Sequence, residues 1–203
     1  SLAINEKALG MNHRAVAISL SNLAALLLDQ GQYDAAEFLN LRALAIYEKN
    51  LGPDHPTVST ILGNLAKGLI DQGQYAAAKP FLRRVLANQE KVLGPNHPDV
   101  ANILGYLAVI LSDQGQYAAA EPLFRRSLAI REKAFGPDHP AVANSLGNLA
   151  TLLIDQGQYD TAESILRRAL AIQEKALGPN HPDVATILEN LAGLLILSLI
   201  HIS

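Results

Sequence analysis

The chain repeats itself at a fixed step. Asp-Gln-Gly-Gln-Tyr surrounds Gly31, Gly73, Gly115 and Gly157, always 42 residues apart. Each copy is preceded by the same short word, Asn-Leu-Ala at Asn22, Asn64 and Asn148 and Tyr-Leu-Ala at Tyr106. A period of this length marks an array of stacked units, because one unit cannot bury its own apolar face and a stack can. That constraint overrides the one or two globular domains that 203 residues would otherwise suggest.

Residues 53–94 serve as the type unit. Pro56 suits the first helical position, where its missing N–H would have no partner anyway. His55, preceding a proline, is pushed out of the helical region and marks the boundary. From Pro56 to about Gln72 the apolar residues Val58, Ile61, Leu62, Leu65, Leu69 and Ile70 recur at three- and four-residue steps, which predicts an amphipathic helix, helix A. Gly73 supplies the positive φ that a helix C-terminus commonly needs. A second helix, helix B, is predicted from about Ala76 to Val92, with Ala77, Phe81, Leu82, Val85, Leu86 and Val92 as its apolar positions. Pro80 is placed about as deep as a proline can sit without losing an intrahelical bond, and Gly94-Pro95 stops the helix. Small residues recur where the two helices approach, Ala24 with Ala36, Ala66 with Ala78, Ala108 with Ala120 and Ala150 with Ala162. The unit is a helical hairpin.

Along the chain, residues 1–10 read as the tail of a helix B, four full hairpins follow, and a last helix A spans 182–196. The chain thus starts inside a repeat and is expected to be a fragment of a longer array. After Ile196 the pattern breaks at one residue, and Leu197-Ser-Leu-Ile-His-Ile-Ser203 replaces the expected turn. This heptapeptide resembles the translation of a sequencing-library adapter, so 197–203 is expected to be a non-native tail without function.

Composition removes several function classes. A formal net charge of −3 gives no basic excess for nucleic acid or an anionic membrane. No cysteine is present, which excludes disulfides, thiolate metal sites and a cysteine nucleophile and fits a cytoplasmic setting. No phosphate loop, nucleophile elbow or His-Glu-x-x-His pair occurs in a suitable context, and Gly-Pro-Asp/Asn-His recurs identically where a catalytic site would be unique. No enzyme activity, metal or cofactor is expected.

Leu65, Ala66, Gly73, Tyr75, Ala78, Leu82 and Val85 fall on the Leu, small, Gly, Tyr, small, large and small positions of the tetratricopeptide repeat. With Leu-Gly-Pro-Asp/Asn-His-Pro closing the units, the chain resembles the 42-residue variety found in kinesin light chains and many bacterial proteins, over residues 1–196. Leu62, where that family often has an aromatic, and Tyr106 depart from the pattern. The resemblance implies an all-α fold, a right-handed solenoid of stacked hairpins. It also implies a non-catalytic scaffold that holds an extended peptide or partner protein in a concave groove lined by helix A. The alternative is a regulatory arm acting on a neighbouring domain of a larger signalling protein; uncapped ends would also permit self-association by end-to-end stacking.

Within that groove the recurring amides Asn22, Asn64, Asn148 and Asn190 are candidates to hold a ligand backbone, since an amide both donates and accepts. Asn102, Asn144, Lys67 and Tyr106 join them. The competing reading is a hydrogen bond between helices, repeated for packing. Asp29, Asp71, Asp113 and Asp155 close helix A in each unit; they either cap the turn into helix B or make the groove negative. Acidic residues outnumber basic ones on helix A and the reverse holds on helix B, so a neutral or basic extended partner is expected. Only Lys67 stands where a carboxylate clamp would need a lysine.

Two ladders receive structural readings. His13, His55, His97, His139 and His181 lie in adjacent hairpins at least roughly 8–10 Å apart, whereas two ligands of one zinc each lie about 2 Å from it. The pairs Arg83/Arg84, Arg125/Arg126 and Arg167/Arg168 have acidic neighbours and are read as a salt-bridged face.

Overall fold

The computed structural model describes residues 2–202, with side chains described for residues 3–198. Among these residues it contains ten helices and no strand. They fall into two compact units, Ser1–Pro95 and Asn96–Ser203. The first holds α1 (Leu2–Leu9), α2 (Arg14–Asp29), α3 (Tyr33–Leu51), α4 (Pro56–Asp71) and α5 (Tyr75–Leu93). The second holds α6 (Pro98–Asp113), α7 (Tyr117–Phe135), α8 (Pro140–Asp155), α9 (Tyr159–Leu177) and α10 (Pro182–Ile202). Within each unit every helix packs on the next in sequence, and successive helices A also touch, α2 with α4 and α6 with α8.

Helix A starts on a histidine that does more than precede a proline. The Nδ1 atoms of His13, His55, His97, His139 and His181 accept the backbone N–H of the residue two further on, at 3.1–3.2 Å. Each imidazole is therefore an N-cap, satisfying one of the four amides that a helix start leaves without a partner. His13 caps α2 in the same extended conformation as His55, although Arg14 follows it instead of a proline. The side-chain bond, more than the proline, is what all five share.

Helix A ends equally uniformly. Gly73 has φ 71°, its N–H bonds to Ile70 O at 2.8 Å, and Gln74 N–H reaches back to Leu69 O at 2.8 Å. This is the paired 5→2 and 6→1 closure of a Schellman motif, which a residue with a Cβ enters only at a cost. The same bonds recur at Gly31, Gly115 and Gly157. Helix B then begins behind Gln32, Gln74, Gln116 and Gln158, none of which makes a side-chain cap bond.

Three expectations for these turns and for helix B need correction. The Asp residues that end helix A do not cap helix B, because the glycine closure leaves Gln at the cap position. Pro80 sits deeper than expected: α5 starts at Tyr75, so the missing N–H of Pro80 leaves the carbonyl of Ala76 without its intrahelical donor. Ala77 and Val92 are exposed, and the buried stripe of α5 is Ala78, Leu82, Val85 and Asn88.

The alanine pairs at the hairpin contact are buried without exception. In the second unit Leu146, Leu149, Leu152, Leu153 and Leu166 form the centre of one continuous core with Phe124 and Val142. At the far end no glycine turn interrupts α10, and the helix runs past Ile196 to Ile202. The expected non-native tail thus begins inside a helix; its side chains beyond residue 198, and Ser203, lie outside the described residues.

Candidate functional site

A helix of 16 residues whose core stripe faces helix B keeps a second face free, and on helix A that face collects the recurring polar residues. Asn22, Asn148 and Asn190 are exposed and Asn64 is half-buried. The inter-helix hydrogen bond offered as their packing role is absent: no side-chain hydrogen bond from these four amides occurs among the described residues. Asn102 and Asn144 differ, since Asn102 Oδ1 accepts from Arg131 at 2.8 Å and Asn144 Oδ1 accepts from Gln173 at 3.2 Å. Tyr106, in place of the amide on α6, is 54% exposed, so its ring stands in solvent.

In the second unit these residues line two adjoining recesses. The larger, about 480 Å³, runs over α6, α7 and α8 and includes Asn102, Tyr106, Arg131, Phe135, Asn144 and Asn148. The smaller, about 250 Å³, runs from α8 to α10 and includes Asn144, Asn148, Thr151, Gln173 and Asn190. Asn144 and Asn148 border both, so the recesses form one track across the A helices of this unit. In the first unit Asn64 lies beside Leu28, Asn40 and Gln72 at a crevice too narrow to admit a water molecule.

Glycines lie on the same face. Gly63 and Gly147 are in helix interiors where, outside their own helix backbone and chain neighbours, no atom lies within 4 Å of where a Cβ would stand, and at Gly105 the nearest is Ser127 Oγ at 3.9 Å. Internal packing therefore gives no reason for glycine, which costs a helix about 1 kcal/mol relative to alanine. Gly105 and Gly147 border the two recesses.

The charged residues on the free face of helix A are mostly acidic, with one exception nearby. Asp29, Asp71, Asp113 and Asp155 are all exposed. The ladder is uneven, because Lys67 Nζ bonds Asp71 Oδ2 at 3.1 Å within α4. That bond and the Asp71 charge raise the pKa of Lys67, which is thus committed to its own helix. Helices α6 and α8 carry no Lys or Arg at all. The exception is Arg131, which enters the larger recess from α7. Pattern reading missed it, because it is not part of a ladder. The signal was a break in repetition: Tyr47, Gln89 and Gln173 occupy the equivalent places in the other full repeats.

Most of the paired arginines of helix B join carboxylates, Arg83 being an exception among the described residues. Arg125 reaches Glu121 and Arg167 reaches Glu163 one turn back, at 2.8 and 2.5 Å. Arg42, Arg84 and Arg168 instead join Glu6, Glu48 and Glu132 of the preceding helix B. Among the described residues no group of three His, Cys, Asp or Glu side chains is placed to hold a metal ion. No helix there is long and apolar enough to cross a membrane.

A family model for the tetratricopeptide repeat matches the chain over residues 1–49, 16–91, 57–133, 99–175 and 146–198. Among solved structures, the nearly identical TPR-like repeats of a kinesin light chain candidate from Podosopora anserina share 30% identity. They superpose with a TM-score of 0.75 over 87% of this chain and 83% of theirs. A point variant of the same repeats gives the same identity and score, over 86% of this chain and 82% of that one. BtubC (BKLC) from P. vanneervenii matches at 25% identity and a TM-score of 0.75, covering 89% of this chain and 72% of its own. No curated protein sequence matches.

Proposed function

Because the chain belongs to the tetratricopeptide-repeat family, an all-α repeat fold that generally mediates protein–protein interaction, we propose that it is a non-catalytic scaffold holding an extended segment of a partner protein against the exposed face of helix A. The observation that carries this reading is the recurring set of amides without an internal partner, Asn22 and Asn64 in the first unit and Asn148 and Asn190 in the second. An amide offers a donor and an acceptor together, which is what an extended peptide backbone requires regardless of its side chains. The open glycines beside them let a ligand main chain approach helix A more closely than a Cβ would allow. Exposed Asp29, Asp113 and Asp155 and the lack of base on α6 and α8 favour a neutral or basic segment over most of this face.

A random-peptide display selection on the whole chain, repeated with Asn64→Ala and Asn148→Ala together, tests the proposal. An enriched motif that disappears in the double variant is the expected result. Enrichment unchanged in the double variant would contradict it.

A further inference from the structure

Arg131 is a cation set into the wall of a recess without an anion to match it. It is half-buried, on α7, and lines the 480 Å³ recess. Its Nη1 donates to Ser145 Oγ at 2.5 Å and its Nη2 to Asn102 Oδ1 at 2.8 Å. Both acceptors are neutral, and among the described residues no carboxylate lies within salt-bridge distance of it. Burial pushes its pKa down, the cost expected of a desolvated charge without a counter-ion. Asp99, the acid bordering the same recess, faces His97 at 3.6 Å instead.

On the other helices B, Arg42, Arg84, Arg167 and Arg168 each have a glutamate partner, as does Arg125 on α7 itself; Arg83, which has none among the described residues, is exposed, whereas Arg131 is half-buried. The two hydrogen bonds tie the guanidinium to α6 and α8 at once and fix the plane of its fork. The remaining N–H donors of that fork are free for a bidentate acceptor. Tyr106, 54% exposed, and Phe135, 44% exposed, give the recess two aromatic walls. These would displace part of the water around an ion pair.

We infer that this recess takes the side-chain carboxylate of one Asp or Glu in the extended partner segment, and that Arg131 thereby sets the register in which the partner lies. The need for a register device follows from the repeats. A backbone read only by recurring asparagines and glycines could slide by one unit at little cost. Gln173, at the equivalent place one repeat later, donates to Asn144 and carries no charge. Of these two equivalent places among the described residues, only Arg131 carries a charge that can hold an anion this way, and sliding the partner would leave both its carboxylate and Arg131 unpaired.

The inference rests on the proposed peptide-binding face, and the test separates the two. Peptides are selected by display on the wild-type chain and on Arg131→Gln, which installs the residue found at the two flanking equivalents, Gln89 and Gln173. The selected peptide is then synthesised with an amidated C-terminus, and its affinity is measured by calorimetry beside its Glu→Gln (or Asp→Asn) form. The expected result is a motif with one invariant acidic residue on the wild-type chain, lost in the variant while the rest of the motif survives. Neutralising that residue should weaken binding to wild type by about tenfold or more, and binding to the variant by less than about twofold. A motif without an acidic residue, or one whose affinity depends on a free C-terminal carboxylate, overturns the register inference and leaves the peptide-binding proposal standing. No motif from either chain overturns both.

Discussion

Asn40 is 1% exposed, and neither its Oδ1 nor its Nδ2 has a hydrogen-bond partner. Equivalent positions in the other repeats hold Leu82, Phe124 and Leu166, all buried. A buried polar group without a partner costs about 1–3 kcal/mol, so Asn40→Leu should raise the unfolding free energy of the chain by about that amount in urea titration. An unchanged or lower midpoint would mean that the amide finds a partner in solution. A second test at this scale concerns Asp138, whose carboxyl is held below its ordinary pKa by the hydrogen bond from Lys175 at 2.8 Å and by that residue's charge. A depressed carboxyl contributes stability above its unfolded pKa and loses it as pH falls through the folded value. Because Asp138 is fully exposed, the contribution is small. Lys175→Met should return the Asp138 midpoint towards the ordinary carboxylate value in an NMR titration.

Among the elements, caps and closures decide more than ladders do. The helices up to α9 were legible within a residue or two, because apolar periodicity, proline and glycine each act locally, whereas α10 runs six residues past its expected end. The histidine caps were legible only as boundaries, since a side-chain bond to the residue two further on leaves no trace in hydrophobic patterning. His55→Ala should cost about 1 kcal/mol, and His55→Asn, which keeps a side-chain acceptor at the cap, should cost less, both read from urea unfolding. The Asp ladder misled in the other direction: proximity to a turn suggested capping, but among the described residues no Asp of the ladder accepts a backbone N–H of helix B. Helix interiors carry the opposite signature at Gly147, where nothing outside its own helix backbone and chain neighbours lies within 4 Å of a Cβ position. Gly147→Ala should stabilise the chain by up to about 1 kcal/mol while weakening the selected peptide, a split that a purely structural glycine would not show.

For the molecule as a whole, stability in a repeat array is close to a sum of unit and nearest-neighbour terms. The salt bridges joining consecutive helices B are surface pairs worth at most about 1 kcal/mol each, so the buried leucine layers carry most of the sum. Fold was legible from sequence because the same instructions are given several times over. The candidate site was legible only in part, and for the same reason. Asn22, Asn64, Asn148 and Asn190 stand out because they recur, whereas Arg131 matters because it does not, and a search for repetition passes over it. Specificity in near-identical units has to sit where identity fails.

If the exposed face of helix A receives the partner, the most direct measurement is an amide and side-chain NMR perturbation map of the whole chain on titration with the selected peptide. The expected shifts concentrate at Asn64, Gly105, Asn144, Gly147 and Asn148, with the side-chain amides of Asn64 and Asn148 among the largest. Shifts concentrated instead on the arginine face of helix B, around Arg83, Arg125 and Arg167, would contradict a partner seated on helix A.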